Sequence, residues 1–446
     1  MAVASPPPAN PALALRDREA ERRLREAVRE KVDRLLGERH LLAPGREEEA
    51  HIRAIIHEHV ESYQHAAATT NRPLLADAAG VEQRLFDSLV RLGILSPLLA
   101  DDSIEEICIN GCARIWVVQH GAMRLLPDLY FDSDEELLDL IRRVIGPLGR
   151  RLDESSPMVD ARLPDGSRLN AVIPPVTLKW PAVTIRKFLI RAERLDQLLA
   201  LDTLTEDLAE FLDVAVQAGV NMLIAGGAGT GKTTLLNCLI SCIRDPSERI
   251  ICLEETAELQ LHLLPNCVAE QARPANLEGA GEITLRQLVK NALRQRPSRI
   301  IVGEVRSEEA LDCLLAMNSG HRGSITTVHG ETPRDALDRL VVLASMAAER
   351  TPLEALRHMA AHTIELVIQM DFARDGGRRL VTSVFEVTGT EDGVIAGNEL
   401  WRRDEQGRLV WTGIPPRCAD KFRARGLPYT PPRSAAGHTP SPGARV

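Results

Sequence analysis

Apolar residues first recur at helical spacing. Leu24, Val28, Val32 and Leu35 stand four and three apart in a heavily charged run, which predicts an amphipathic helical region over about 13–95. Between about 96 and 190 the pattern shortens to apolar runs broken by Asn-Gly and Asp-Gly, as in EEICINGCARIWVV and RLPDGSRLNAVIP, predicting strands joined by tight turns in a small α/β domain. A second helical run, RAERLDQLLALDTLTEDLAEFLDVAVQAG, opens at 191, and its part to 205 predicts a hinge linker. Beyond it the apolar strands VNMLIA, RIICLE, RIIVGE and GSITTVH alternate with helices, the spacing of crossover units in a parallel sheet. This α/β core is expected over 206–412. Residues 1–12 and the Pro-, Gly- and Arg-rich tail 413–446 are expected to be disordered.

Length and composition narrow the class. A chain of 446 residues suits about two or three domains. Its 26% charged and 44% hydrophobic content is that of an ordinary globular protein. A net charge of -9 and 3% aromatic residues argue against a protein built to hold phosphate backbones or stack bases, so no nucleic-acid partner is expected. The eight cysteines form no C-x-x-C pair and read as reduced, mostly buried thiols; Cys238 and Cys242 share a helix face but offer too few ligands for a metal. The opening MAVASPPPANPALALRDREAERR has neither a basic n-region nor an apolar h-region, and no run approaches about 18 apolar residues. A cytoplasmic protein follows, one that would meet a membrane through a partner or a surface.

The chemistry begins at GGAGTGKT, which matches G-x-x-x-x-G-K-[ST] between the strand VNMLIA and the helix TTLLNCLISCI. Backbone N–H groups along Gly226, Gly227, Ala228, Gly229, Thr230 and Gly231 would cradle phosphate oxygens, helped by the positive end of the helix. Lys232 would reach the β and γ phosphates, the Thr233 hydroxyl would coordinate Mg²⁺, and Thr234 would add a phosphate contact. No guanine-reading N-K-x-D and no L-S-G-G-Q motif is present, so ATP is the expected nucleotide. Glu254, Glu255 and Glu304 each follow a buried strand on the P-loop side, where strand ends converge on the γ-phosphate and its metal. Gly303 stands where a magnesium-binding aspartate is expected.

The ordered motifs GGAGTGKTTLLN, RIICLEETAELQL and NALRQRPSRIIVGEVRSEEALDCLLAMNSGHRGSITTVHG resemble the secretion ATPases of type II and type IV systems. With SPLLADDSIEEICING, RRLDESSPMVDARLPDGSRLNAVIPP and VTIRKF upstream, the chain looks most like the CpaF-type ATPases of Tad/Flp pili, over roughly 300 residues. The resemblance implies an α/β chain with a RecA-like P-loop ATPase domain on a parallel-sheet core, preceded by the small α/β domain and the N-terminal helical segment. Glu304 is implied to polarise the attacking water, Glu254 and Glu255 to arrange Mg²⁺ and water, and His329 to sense the γ-phosphate. Arg162, Arg168 and Arg186 match positions from which arginines reach nucleotide at a domain or subunit boundary, Arg186 and Arg168 foremost. Also implied are a homo-oligomer, a hexameric ring, and an integral-membrane platform partner for pilus assembly or secretion.

A type IV secretion or DNA-transfer ATPase is the alternative within the family, and a RecA-like nucleic-acid motor the one outside it. The chain lacks the tetracysteine insert of type II secretion ATPases and the AIRNLIRE signature of retraction ATPases, which places Tad/Flp assembly ahead. Its departures from the family pattern are Glu-Glu at 254–255 in place of Glu-Asp, Arg322 where an acid is usual, and Trp180 where a small residue is usual.

Overall fold

The computed structural model describes residues 11–36, 45–70, 74–119, 121–188, 192–259, 264–275, 280–348, 351–373 and 377–432, without the side chains of 11–19, 33 and 35. The expected disorder of 1–12 falls largely outside these residues, as do the end of the tail from 433 and the side chain of Leu35. The chain divides into two compact units, 1–189 and 190–446.

The first unit opens with helices α1 (Pro11–Leu36), α2 (Arg46–Thr69) and α3 (Ala78–Val90). The apolar stripe read from the sequence is their seam: Leu24, Val28 and Val32 are buried with Ile52, Ile56 and Val60 of α2 and Leu85, Phe86 and Leu89 of α3. After α4 (Ser96–Ala100), strands β1 (Ile104–Asn110), β2 (Ile115–Gln119) and β3 (Ala122–Leu125) precede α5 (Asp134–Ile145). Strands β4 (Met158–Arg162), β5 (Arg168–Val172) and β6 (Ala182–Arg186) then complete an antiparallel six-stranded sheet in the order β3-β2-β1-β6-β5-β4. Alternation puts Ile107, Ile109, Leu169 and Ile185 on its inner face, packed with Leu137, Ile141 and Ile145 of α5.

Helix α5 begins where the Ser133 hydroxyl accepts the Glu136 N–H at 3.1 Å, with acids in its first turn and Arg142 and Arg143 in its last. Ser133→Ala should cost about 1 kcal/mol, read as a lower denaturation midpoint for the transition of this unit.

The second unit contains α6 (Leu195–Ala200), α7 (Glu206–Gln217), β7 (Met222–Gly226), α8 (Lys232–Ile240), β8 (Ile250–Glu254), β9 (Cys267–Gln271), α9 (Leu285–Ala292) and β10 (Arg299–Val302). It continues with α10 (Glu309–Asn318), β11 (Ile325–His329), α11 (Pro333–Ala347), α12 (Leu353–Thr363), β12 (Leu366–Phe372), β13 (Arg379–Glu391), β14 (Val394–Arg403), β15 (Leu409–Trp411) and α13 (Ala419–Ala424). The strands form one nine-stranded sheet, ordered β15-β14-β13-β12-β7-β11-β10-β8-β9. From β12 to β9 all pairs are parallel, and β11 is inserted between the P-loop strand β7 and the Glu304 strand β10. This is the RecA-like P-loop arrangement. Helices α7, α8 and α13 cover one face and α9 to α12 the other, so the central strands are apolar on both sides.

Two features depart from the sequence reading. The sheet is extended by the antiparallel strands β13, β14 and β15, where only the parallel core was expected. The tail is ordered to residue 432: α13 buries Phe422, whose ring lies 5.8 Å from Phe211 and 5.4 Å from Tyr429. Buried Glu386 accepts the N–H groups of Arg417 at 2.9 Å and Cys418 at 2.8 Å, and Lys421 pairs with Glu365 at 2.5 Å. The Pro- and Arg-rich composition describes the exposed joints of this segment, whereas a few apolar side chains decide where it goes. Helix α6, within the expected linker, buries Leu195 and Leu198 in the core of the second unit.

Candidate active site

The carboxyl ends of the parallel strands gather the candidate residues of the second unit. His329, the last residue of β11, lies in register with Gly226, the last of β7, and Val302 of β10 with Leu253 of β8. The ladder runs on past β10: Gly303 N donates to Leu253 O and Val305 N to Thr327 O, both at 2.9 Å. Buried Val305 then leaves Glu304 and Arg306 on the opposite side of an extended run.

At the P-loop, Gly226 admits no side chain, because a Cβ there would lie 2.6 Å from Met370 O and from Thr230 Oγ1. Lys232, buried at the start of α8, donates to Gly226 O at 3.1 Å and Gly227 O at 2.8 Å. The Thr230 hydroxyl donates to Gly227 O at 3.0 Å and Arg379 Nε to Gly229 O at 2.7 Å. Loop carbonyls are thus engaged by cations and a hydroxyl, while the first-turn N–H groups of α8 lack intrahelical acceptors. With Thr233 and Thr234 in that turn, the donor set fits a triphosphate and its Mg²⁺, and the Thr233 hydroxyl is the group that could hold the ion.

The acids separate into distinct environments. Glu254 is buried, and its carboxylate accepts Glu258 N at 2.9 Å and Leu259 N at 3.2 and 3.3 Å, strapping the following loop to the end of β8. Gly303 makes room for it, since a Cβ there would come within 3.0 Å of Glu254 Cγ. The expected aspartate position is therefore filled sterically by a neighbouring acid. Glu255 is exposed and receives Arg306 Nη1 at 3.1 Å. Glu304 is 21% exposed; its Oε2 accepts Arg306 Nε at 2.9 Å and Nη2 at 2.6 Å. His329 Nε2 approaches Glu304 Oε1 at 2.8 Å, off line for a hydrogen bond.

Burial, the Lys232 ammonium and the Arg306 and Arg339 guanidiniums hold His329 below its ordinary value against the opposing pull of Glu304, so the ring is neutral near pH 7. Its register with Gly226 places this histidine beside the start of the P-loop. A prediction follows for Glu254: exchange to Gln should cost about 1–3 kcal/mol by disturbing the loop strap, and should reduce turnover far less than exchange of Glu304. Denaturation and steady-state phosphate release measure the two parts.

In the first unit, Arg162 faces Arg168 across β4 and β5, and Arg168 faces Arg186 across β5 and β6. Three arginines thus form one cross-strand row on the face opposite the apolar core. Arg186 Nε lies 3.6 Å from Glu106 Oε1 on β1. Like charges directly opposite one another oppose sheet pairing, so the row is an arrangement suited to an anion. Trp180 packs against Gly111, with the Arg114 guanidinium 3.8 Å from its ring centroid and Lys179 at 4.7 Å; Arg322 is exposed in the turn before β11.

Sequence reasoning missed Arg306 and Arg379. Arg306 adjoins Glu304 in the chain, but its bridge to Glu255 spans 51 positions, and Arg379 meets the P-loop from 150 positions away. No local pattern carries either contact.

Residues 89–386 match the family described as Type II/IV secretion system protein. A Mycobacterium tuberculosis protein provisionally named for conjugal transfer is 34% identical over 326 residues, 72% of this chain and 91% of that one. The conjugal transfer protein TrbB of Rhizobium radiobacter is 32% identical over 65% of this chain and 86% of its own. The type IV secretion system protein PtlH of Bordetella pertussis is 32% identical over 69% and 97%. Among solved structures, the ATPase DotB of Legionella pneumophila has a TM-score of 0.48 at 22% identity, over 67% of this chain and 80% of that one.

Proposed function

The chain belongs to the type II/IV secretion system protein family, and from that premise we propose that it is the ring motor of a type IV secretion or conjugal transfer apparatus. It is a P-loop ATPase, and its general role is that of an ATP-hydrolysing motor of secretion or conjugation machinery. The observation that carries the proposed chemistry is the meeting of the P-loop, Glu304 and His329 at one edge of the parallel sheet. The conjugal-transfer and type IV names of the relatives support the choice of machinery.

In this reading Lys232 and the N–H groups of the loop hold the β and γ phosphates, and Glu304 orients and deprotonates the attacking water. Mg²⁺, when bound at Thr233, supplies charge neutralisation at the phosphates. Neutral His329 senses the γ-phosphate end of the site. Glu255 shares the guanidinium of Arg306 beside Glu304, and Glu254 holds the loop that follows β8. Arg168 and Arg186 are phosphate contacts in the assembled hexamer. The motor works in the cytoplasm, held to the membrane by an integral-membrane platform protein. Among the described residues no helix is long and apolar enough to cross a membrane.

A second reading, Tad/Flp pilus assembly, is favoured by the three-helix region of α1 to α3, most of which precedes the family match. Lys232→Ala in the host organism separates the two. Loss of DNA or protein transfer with surface pili intact supports the first, and loss of pili with transfer intact supports the second. The ring itself is tested by Mg²⁺-dependent phosphate release as a function of protein concentration, with mass measured alongside. Specific activity should rise as the hexamer forms; activity independent of assembly would remove the subunit-boundary role of the arginines.

A further inference from the structure

Arg306 is placed between two carboxylates in a way that the water-polarising role of Glu304 does not explain. Its Nε and Nη2 both bond Glu304 Oε2, at 2.9 and 2.6 Å, while its Nη1 bonds Glu255 Oε2 at 3.1 Å. Oε1 is buried and takes no hydrogen bond, with His329 Nε2 2.8 Å away, so Oε2 is the oxygen left for an attacking water, and Arg306 holds it. A carboxylate so engaged cannot orient that water until one partner moves.

The contacts identify which partner can. The backbone of Arg306 is pinned, since buried Glu309 accepts Arg306 N at 2.6 Å and Ser307 N at 2.8 Å through Oε1. Its side chain is 47% exposed, so the guanidinium can swing without repacking a core. Glu255, 52% exposed and already bonded to it, is a preformed acceptor for that swing. Burial opposes the charge of Arg306, but the bonds and charges of Glu304 and the charges of Glu255 and Glu258 outweigh it and hold the guanidinium above its ordinary value. It moves, therefore, as a cation between two anions.

We propose that Arg306 is a positioning latch: it occupies Glu304 in the resting site and is handed to Glu255 when Glu304 takes up the attacking water. The proposal rests on the reading of Glu304 as the residue that polarises water. It assigns Glu255 a task, receiving the latch, that differs from arranging the metal.

The test is a double-mutant cycle on the full-length assembled protein, comparing wild type, Glu255→Gln, Arg306→Gln and the double variant. Steady-state kcat and KM, the dissociation constant of a fluorescent ATP analogue and the melting temperature are measured for each. Glu255→Gln keeps an oxygen but removes the charge that draws the guanidinium across, so kcat should fall on the order of tenfold, the coupling of one shared ion pair, with KM and nucleotide affinity unchanged. Arg306→Gln should keep kcat at or above wild type, and the double variant should recover to that level. Arg306→Lys, which keeps the charge but not the forked contact, should fall between.

An equal loss from Glu255→Gln in both arginine backgrounds overturns the latch, because Glu255 then acts without Arg306. Loss of turnover in Arg306→Gln with an unchanged melting temperature overturns it as well. Glu304→Gln separates the two layers. Full turnover in that variant removes the water-polarising reading itself, whereas a dead Glu304→Gln with no recovery in the double variant removes the latch alone.

Discussion

Glu304→Gln should lower kcat by about 10²–10⁴-fold while ATP binding is retained. Glutamine keeps the size of the side chain and an oxygen for Arg306, but it cannot take a proton from water. The groups proposed to hold the nucleotide, the loop after β7 and Lys232 in the first turn of α8, belong to other segments of the chain and do not depend on the charge of Glu304. The loss should therefore appear in the chemical step. Single-turnover phosphate release, paired with titration of a fluorescent ATP analogue, reads the two separately. A variant that turns over within about tenfold of wild type would exclude general-base chemistry at this position.

The second large effect concerns stability. Arg299 opens β10 and is 2% exposed, with its guanidinium forked onto Glu248 through Nε and Nη2 and its Nη1 donating to Val216 O at 2.6 Å. The fit is close, since a Cβ on Gly323 would lie 2.5 Å from Nη1. Arg299→Ala should destabilise the second unit by about 3–5 kcal/mol, because it leaves the Glu248 carboxylate without its partner and the Val216 carbonyl with backbone donors alone. Chemical denaturation measures this directly. A paired change, Arg299→Leu with Glu248→Leu, should recover much of the loss, since the cost lies in the orphaned charge more than in the missing attraction. If Arg299→Ala and the paired variant are equally unstable, the packing volume and not the ion pair is responsible.

How far the sequence could be read depended on whether a feature is carried by neighbouring residues. The P-loop was legible because its chemistry lies in eight consecutive positions, Gly226 to Thr233, between a strand and a helix. The parallel core was legible because fully apolar strands of that spacing have few other homes. Glu304 and His329 were reachable as strand-end residues within ordered motifs. The Glu254 strap was not, since its partners are backbone N–H groups of an irregular loop that no periodicity describes. Arg379 was invisible for a related reason: β13 reaches the P-loop only because an antiparallel extension follows the parallel core. The tail misled because average composition conceals the few residues, Cys418 and Phe422 among them, that fix its path.

The position of β7 has a mechanical consequence. It is the fifth of nine strands, joined in register over Met222–Gly226 to β11 on one side and to β12 on the other. A pull along its axis loads both ladders in shear, so the bonds on each flank must fail together. The edge strand β9, paired on one side alone, can instead be peeled open a pair at a time. The nucleotide loop is thus mounted on a strand held from both sides, and strain passing through it is borne by its neighbours while the edge strands are the ones that can peel.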